Sequence, residues 1–142
     1  MRLIKSNNKK LKKKSLPYSV DEMNKARSFS KKMMKEFNKL SGVYGVSAVQ
    51  FGHLKQMFIM RYRGVKRLVI NPCIVHKSTE TNIQEESCLS YPGKIKKVKC
   101  HNVIVVEYLD KKGNVIKEKL SGMEARIFQH EYNHLIGKPN LR

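Results

Sequence analysis

Near the end of the chain stands Gln129-His130-Glu131-Tyr132-Asn133-His134, with only Leu135 to Arg142 behind it. No other feature restricts the fold as much. His130 and His134 are four positions apart, so on a helix both imidazoles leave one face and aim at one point. Glu131 lies beside the first of them. This pattern suits a metal ion, and such a centre takes a third protein ligand. None of the residues from Leu135 to Arg142 is His, Cys, Asp or Glu. The third ligand has to come from upstream, and the chain must fold an earlier segment back onto its last helix.

Local patterns supply that helix and its surroundings. Ser19 with Glu22 three positions on offers a capping box. Met23, Ala26, Ser30, Met33, Phe37 and Leu40 follow at steps of three and four, predicting an amphipathic helix to about Leu40, stopped by Ser41-Gly42. "MFIMRY" and "RLVINP" flank Arg63-Gly64 and read as a β-hairpin. "NVIVVEYL" and "NVIKEKL" flank "DKKG" and read as a second. Between the hairpins lie the polar stretch "HKSTETNIQEES" and then "CLSYPG". A capping box of Ser121 with Glu124 opens the last helix, which Gly137 and Pro139 end. The expected fold is α+β: antiparallel or mixed sheets packed around a central C-terminal helix carrying the histidines, plus an N-terminal helix. Residues 1 to 142 read as one catalytic domain, with 1 to 19 a basic lead that lacks the apolar stretch of a secretory signal.

Composition narrows the classes. No apolar run approaches the length of a membrane span, and no membrane partner is expected. Three cysteines, an odd number, argue against a disulfide scaffold and for a reducing compartment. Lys plus Arg number 30 against 11 acidic residues, a net charge of +19. Such a field attracts polyanions, so contact with RNA or the ribosome through the basic surface is one expectation, and solubility alone is the other.

For the third ligand the residues leave several candidates: Cys73, Cys88, Cys100, His53, His76, His101 and a few carboxylates. Cys88 leads, because it sits in a polar turn bounded by Gly and Pro, where a core role is less natural. Glu131 is placed to take a proton from a water and pass it to a leaving amine.

"YGVSAVQ", "VINP", "ESCLS" and the final H-E-x-x-H, in that order, resemble the motifs of the peptide deformylase family. Those motifs are G-x-G-x-A-A-x-Q with apolar residues at both x positions between the small ones, E-G-C-L-S and Q-H-E-x-D-H. The resemblance covers nearly the whole chain. It implies hydrolysis of the N-formyl group from formylmethionine at the start of nascent polypeptides, with release of formate. It makes Cys88, His130 and His134 the ligands of one divalent metal, physiologically Fe2+, with Zn2+, Ni2+ or Co2+ as substitutes. Glu131 becomes the general base and then acid. Gln50 and the backbone N–H of Leu89 hold the oxyanion, and Gly45 offers its backbone to the peptide. Tyr44, Met123 and Ile127 are candidates for the methionine pocket. The chain's early stop resembles short, phage-encoded forms without a further C-terminal helix, and implies the cytoplasm of a bacterial host.

The chain also departs from the family pattern. Val43 stands at the first motif's opening Gly, with Gly42 one place earlier, and Ser47 at an Ala. Ser87 stands at the Gly before the cysteine, which raises the question whether that position needs a positive φ. Asn133 stands at the Asp, and Cys100 where an Arg is common, so Glu86 is expected to be short of a partner. Two other readings remain: an amide hydrolase or metallopeptidase with a shifted substrate, and a basic RNA-binding protein with a vestigial metal site.

Overall fold

The computed structural model describes residues 1–141. Two helices, α1 (Met23–Asn38) and α2 (Gly122–Leu135), accompany seven strands: β1 (Gly45–Ser47), β2 (Met57–Tyr62), β3 (Val65–Lys77), β4 (Thr81–Glu86), β5 (Lys96–His101), β6 (Val103–Leu109) and β7 (Val115–Ser121). A five-stranded sheet runs in the order β1-β2-β3-β6-β7, and β4 pairs with β5 as a separate ribbon. All strand pairs are antiparallel.

The two expected hairpins are present. β2 and β3 turn through Arg63 and Gly64, both at positive φ, with Tyr62 opposite Val65. That is the two-residue turn whose twist matches the strands. β6 and β7 pair from Val103 with Ser121 to Leu109 with Val115. Four successive β2 residues, Met57 to Met60, are fully buried, so this strand is covered on both faces. Side chains alternate along a strand. Met57 and Ile59 accordingly join Ala26, Met33 and Phe37 of α1 on one face. Phe58 and Met60 join Ala125, Ile127 and Phe128 of α2 on the other. Phe58 meets Phe128 edge-on at 5.0 Å between ring centres.

The stripe expected on α1 is the buried one: Ala26, Ser30, Met33 and Phe37. Ser19 N–H donates to Glu22 Oε1 at 2.9 Å, as the first capping box requires, although a 3-10 turn (Val20–Glu22) precedes the α-helix. The second capping box is not formed. Ser121 occupies the N-cap of α2 without a side-chain cap bond, and Glu124 instead pairs with Arg67 of β3. A guanidinium within reach outcompetes a backbone amide for that carboxylate.

The polar stretch "HKSTETNIQEES" between the hairpins contributes a strand to the β4–β5 ribbon, which the sequence pattern does not predict. His76 and Lys77 of that stretch end β3, and Thr81–Glu86 form β4, paired from Thr81–His101 to Glu86–Lys96. The ribbon lies against α2, which is thus enclosed between two sheets. The basic lead also packs. Leu11 is fully buried with Tyr91 and Leu141, Ser15 N–H donates to Leu135 O, and Tyr18 is held through backbone N–H and C=O by the side chain of Asn71 at 2.8 Å each. Asn71 adopts a positive φ of 50°, a conformation Asn tolerates.

Candidate metal centre and active site

α2 carries His130, Glu131 and His134 inward against the sheet. The loop between β4 and β5 brings Cys88 to them. One donor atom from each of Cys88, His130 and His134 lies within 4.8 Å of the others. Cys88 Sγ is 3.4 Å from His134 Nε2. Metal–sulfur and metal–nitrogen bonds of about 2.3 and 2.0–2.1 Å at a tetrahedral angle separate S and N by about 3.5 Å. The Cys88–His134 spacing therefore fits a divalent ion of that size. The other upstream candidates lie elsewhere. Cys73 and His76 are exposed on β3, His53 stacks on Phe29 and bonds Tyr18, and the His101 ring bonds Ser78 O. Cys100 is buried near Glu86 rather than at the histidines.

The surrounding carboxylates differ in character. Glu131 is 3% exposed, and its Oε1 has no hydrogen-bond partner among the described residues. Burial pushes its pKa up to about 7, with the charge of His130 opposing and that of Glu86 assisting. Glu86 is also buried, but hydrogen bonds from His130, Asn140 and Arg126 overcome the burial and hold it near 2. His130 Nδ1 meets Glu86 Oε1 at 2.7 Å. A carboxylate on Nδ1 leaves Nε2 as the free donor, the usual arrangement behind a metal-ligating imidazole. Without a cation His130 is pulled upward: burial disfavours its charge, but bonds to Cys88 and Glu86 and the charge of Glu131 win. His134 is held near 3 by burial and by His130.

Gln50 is 2% exposed on the 3-10 turn after β1. Its Oε1 accepts from Ser47 N–H at 2.9 Å and from Ser47 Oγ at 3.1 Å. Those bonds turn the amide NH2 toward Cys88 Sγ, 3.5 Å away, and Ser90 Oγ, 3.2 Å away. Ser47 thus orients Gln50 rather than merely filling the site of a smaller residue. A cleft of about 700 Å³ opens beside these groups, and Tyr44, Gly45, Leu89, Met123 and Ile127 are among its walls. Lys5 of the lead reaches the rim and donates to Leu89 O at 3.2 Å.

Two departures resolve in the geometry. Ser87 has no positive φ; among the described non-glycine residues only Arg63 and Asn71 do. Glu86 is not short of a partner, because Arg126, a residue the sequence reading passed over, bonds its Oε2. Arg126 could have been noticed as a cation four residues before His130 on the buried side of the helix.

Gly45 is constrained by contact. A Cβ there would stand 2.8 Å from Glu131 Oε2 and 3.0 Å from two further atoms of that side chain. Gly45→Ala is expected to displace the Glu131 carboxylate and lower kcat/KM about 10²-fold, the scale of an ångström's misplacement, with little change in the melting temperature. Kinetics within twofold of the wild type would contradict the contact's importance.

Residues 1–141 match the Polypeptide deformylase family. The chain belongs to the peptide deformylase family. It is 39% identical over 93 residues to the peptide deformylase of Thermotoga neapolitana, an alignment covering 66% of this chain and 57% of that protein. The crystal structure of peptide deformylase from Thermotoga maritima overlays with a TM-score of 0.87 at 29% identity, covering 97% of this chain and 92% of that one. A structure described as a probable peptide deformylase from synechococcus phage S-SSM7 overlays with a TM-score of 0.86 at 27% identity, covering 99% and 97%. The fold is that of these deformylases, with the antiparallel sheets around a C-terminal helix expected from sequence. No helix among the described residues is long and apolar enough to cross a membrane.

Proposed function

We propose that this chain hydrolyses the formyl amide of N-formylmethionyl nascent peptides, releasing formate and a free α-amine, with one divalent metal held by Cys88, His130 and His134. The observation that carries this reading is the convergence of those three donors beside a buried, unpartnered Glu131 oxygen. A thiolate with two imidazoles is a soft, singly negative donor set, suited to Fe2+ and also to Zn2+, Ni2+ or Co2+. A divalent cation there supplies a Lewis acid that makes a water nucleophilic near neutral pH.

The chain's own residues do the rest. Glu131 accepts a proton from the attacking water and returns it to the amine nitrogen as the C–N bond of the formamide breaks. Its buried site, with a raised pKa, suits a group that must both take and give a proton. The Gln50 amide N–H and the backbone N–H of Leu89 donate to the oxygen that becomes negative as the formyl carbon turns tetrahedral. Gly45 lies on β1, an edge strand beside the cleft, where an extended peptide can add to the sheet. Met123 and Ile127 line the wall available to an apolar methionine side chain, with Tyr44, half exposed, at the rim.

The test compares formyl-Met-Ala-Ser with Met-Ala-Ser. Formate from the first and no cleavage of the second supports deformylation. Cleavage of the unformylated peptide would favour the metallopeptidase reading.

The same reading places the protein where nascent chains are made, the bacterial cytoplasm. Exposed lysines on α1 (Lys25, Lys31, Lys32 and Lys35), at its C-cap (Lys39) and on β5 (Lys96, Lys97 and Lys99) give it a surface for ribosomal RNA. Co-sedimentation with ribosomes is expected at low salt and should fall steeply as salt rises. Absence of binding at low salt would remove this contact.

A further inference from the structure

Arg126 and His130 stand one turn apart on α2, and both close on one carboxylate. Glu86 gives Oε1 to His130 Nδ1 and Oε2 to Arg126 Nη1. The guanidinium is itself held in plane. Nη1 also donates to Val98 O at 3.1 Å, and Nη2 donates to Asn82 O at 3.0 Å and to Asn82 Oδ1 at 2.6 Å. Arg126 and Glu86 side chains are 4% and 8% exposed. A buried ion pair is a costly way to fill such a place, and an apolar side chain of similar size often does as well for stability. What the pair adds is direction. A planar fork that cannot lose its proton fixes the rotation of the carboxylate, and the carboxylate fixes the plane and tautomer of His130. Asn140 adds a second donor to Oε1 at 2.9 Å and accepts from Asn133 at 2.7 Å, so this carboxylate is held from both sides.

We propose that Arg126 is a positioning residue for the metal centre: through Glu86 it holds His130 with Nε2 toward Cys88 and His134, and so sets the site's affinity for its ion. The proposal rests on the metal reading above. A purely structural role, tying the β4–β5 ribbon to α2, is separable. Gln129 makes an independent tie, accepting from His101 N–H at 2.9 Å and donating to His101 O at 3.0 Å, without touching Glu86.

The experiment titrates metal-free protein with Co2+ against a chromophoric chelator, without oxygen, following the thiolate-to-cobalt absorption. Wild type should bind one equivalent. Arg126→Met should bind about 10–100-fold more weakly, the usual scale for partners behind a metal ligand, with an altered cobalt spectrum. Arg126→Lys, which keeps the charge and loses the fork, should fall between. Cys100 Sγ lies 3.7 Å from the same Glu86 oxygen, so Arg126→Met with Cys100→Arg should return a guanidinium from β5 and recover most of the affinity. Gln129→Met should lower the melting temperature and leave Co2+ affinity unchanged. Wild-type affinity in Arg126→Met, or an equal loss in Gln129→Met, overturns the proposal. Should Arg126→Met not fold, the double variant decides: near-wild-type affinity supports the positioning role and weak affinity overturns it. A wild type that takes up no Co2+ overturns the metal reading and this proposal together.

Discussion

Glu131→Gln is expected to lower kcat for formate release by about 10²–10⁴-fold, the range lost with a general acid–base group, while one metal ion still binds. Gln has the same shape and cannot accept the water's proton. The same substitution has an opposite effect on the metal-free fold. The folded pKa of Glu131, about 7, lies above its ordinary value of 4.5 because burial disfavours the charge. The folded state therefore binds this proton more tightly than the unfolded chain does. Stability attached to it is full below pH 4.5 and is lost as pH rises through 7. Metal-free Glu131→Gln should accordingly melt higher than wild type at pH 8 and at about the same temperature at pH 4. Under the proposed role of Glu131, lower stability of the metal-free fold is the ordinary trade of an active site. A variant that keeps wild-type turnover would remove Glu131 from the chemistry.

Cys88→Ala is expected to lower metal affinity by more than about 100-fold, beyond the range seen for partners behind the ligands, and to lose formate release at metal concentrations that saturate the wild type. The fold should survive, because Cys88 sits half-buried in the β4–β5 loop, outside the two main clusters packed on the sheet. Equilibrium dialysis with metal analysis reads the first effect and a formate assay the second. Full metal occupancy with retained activity would break the assignment of Cys88 as a ligand.

The elements that sequence made legible share one property: an apolar face with a regular period. α1, α2 and the strands of both main hairpins each bury such a face against the sheet or a helix. The β4–β5 ribbon does not. β4 buries no apolar side chain, and β5 buries only Cys100. Its order comes from strand pairing and from polar side chains of α2, chiefly Arg126 and Gln129, and neither produces a periodic signal. The cross-strand pair Glu85–Lys97 is a trace available before folding, since opposite charges across a ribbon favour that register.

The site divides along the same line. The histidine pair and Glu131 could be read directly from helical spacing. Cys88 could be ranked by context but not chosen, since its partners lie 42 and 46 positions away, and the resemblance in motif order was needed to name it. The dependence of Glu131 on Gly45 and of Glu86 on Arg126 is contact information. A glycine in a strand and an arginine in a helix look alike in sequence whether or not a carboxylate lies against them.

The most direct measurement is an anaerobic titration of metal-free protein with Fe2+ while formate release from a short N-formylmethionyl peptide is followed. Activity should be absent in chelator, rise linearly with added metal, and break at one equivalent. Formate release that persists in chelator, or no release after one equivalent of Fe2+ is bound to folded protein, would contradict the account.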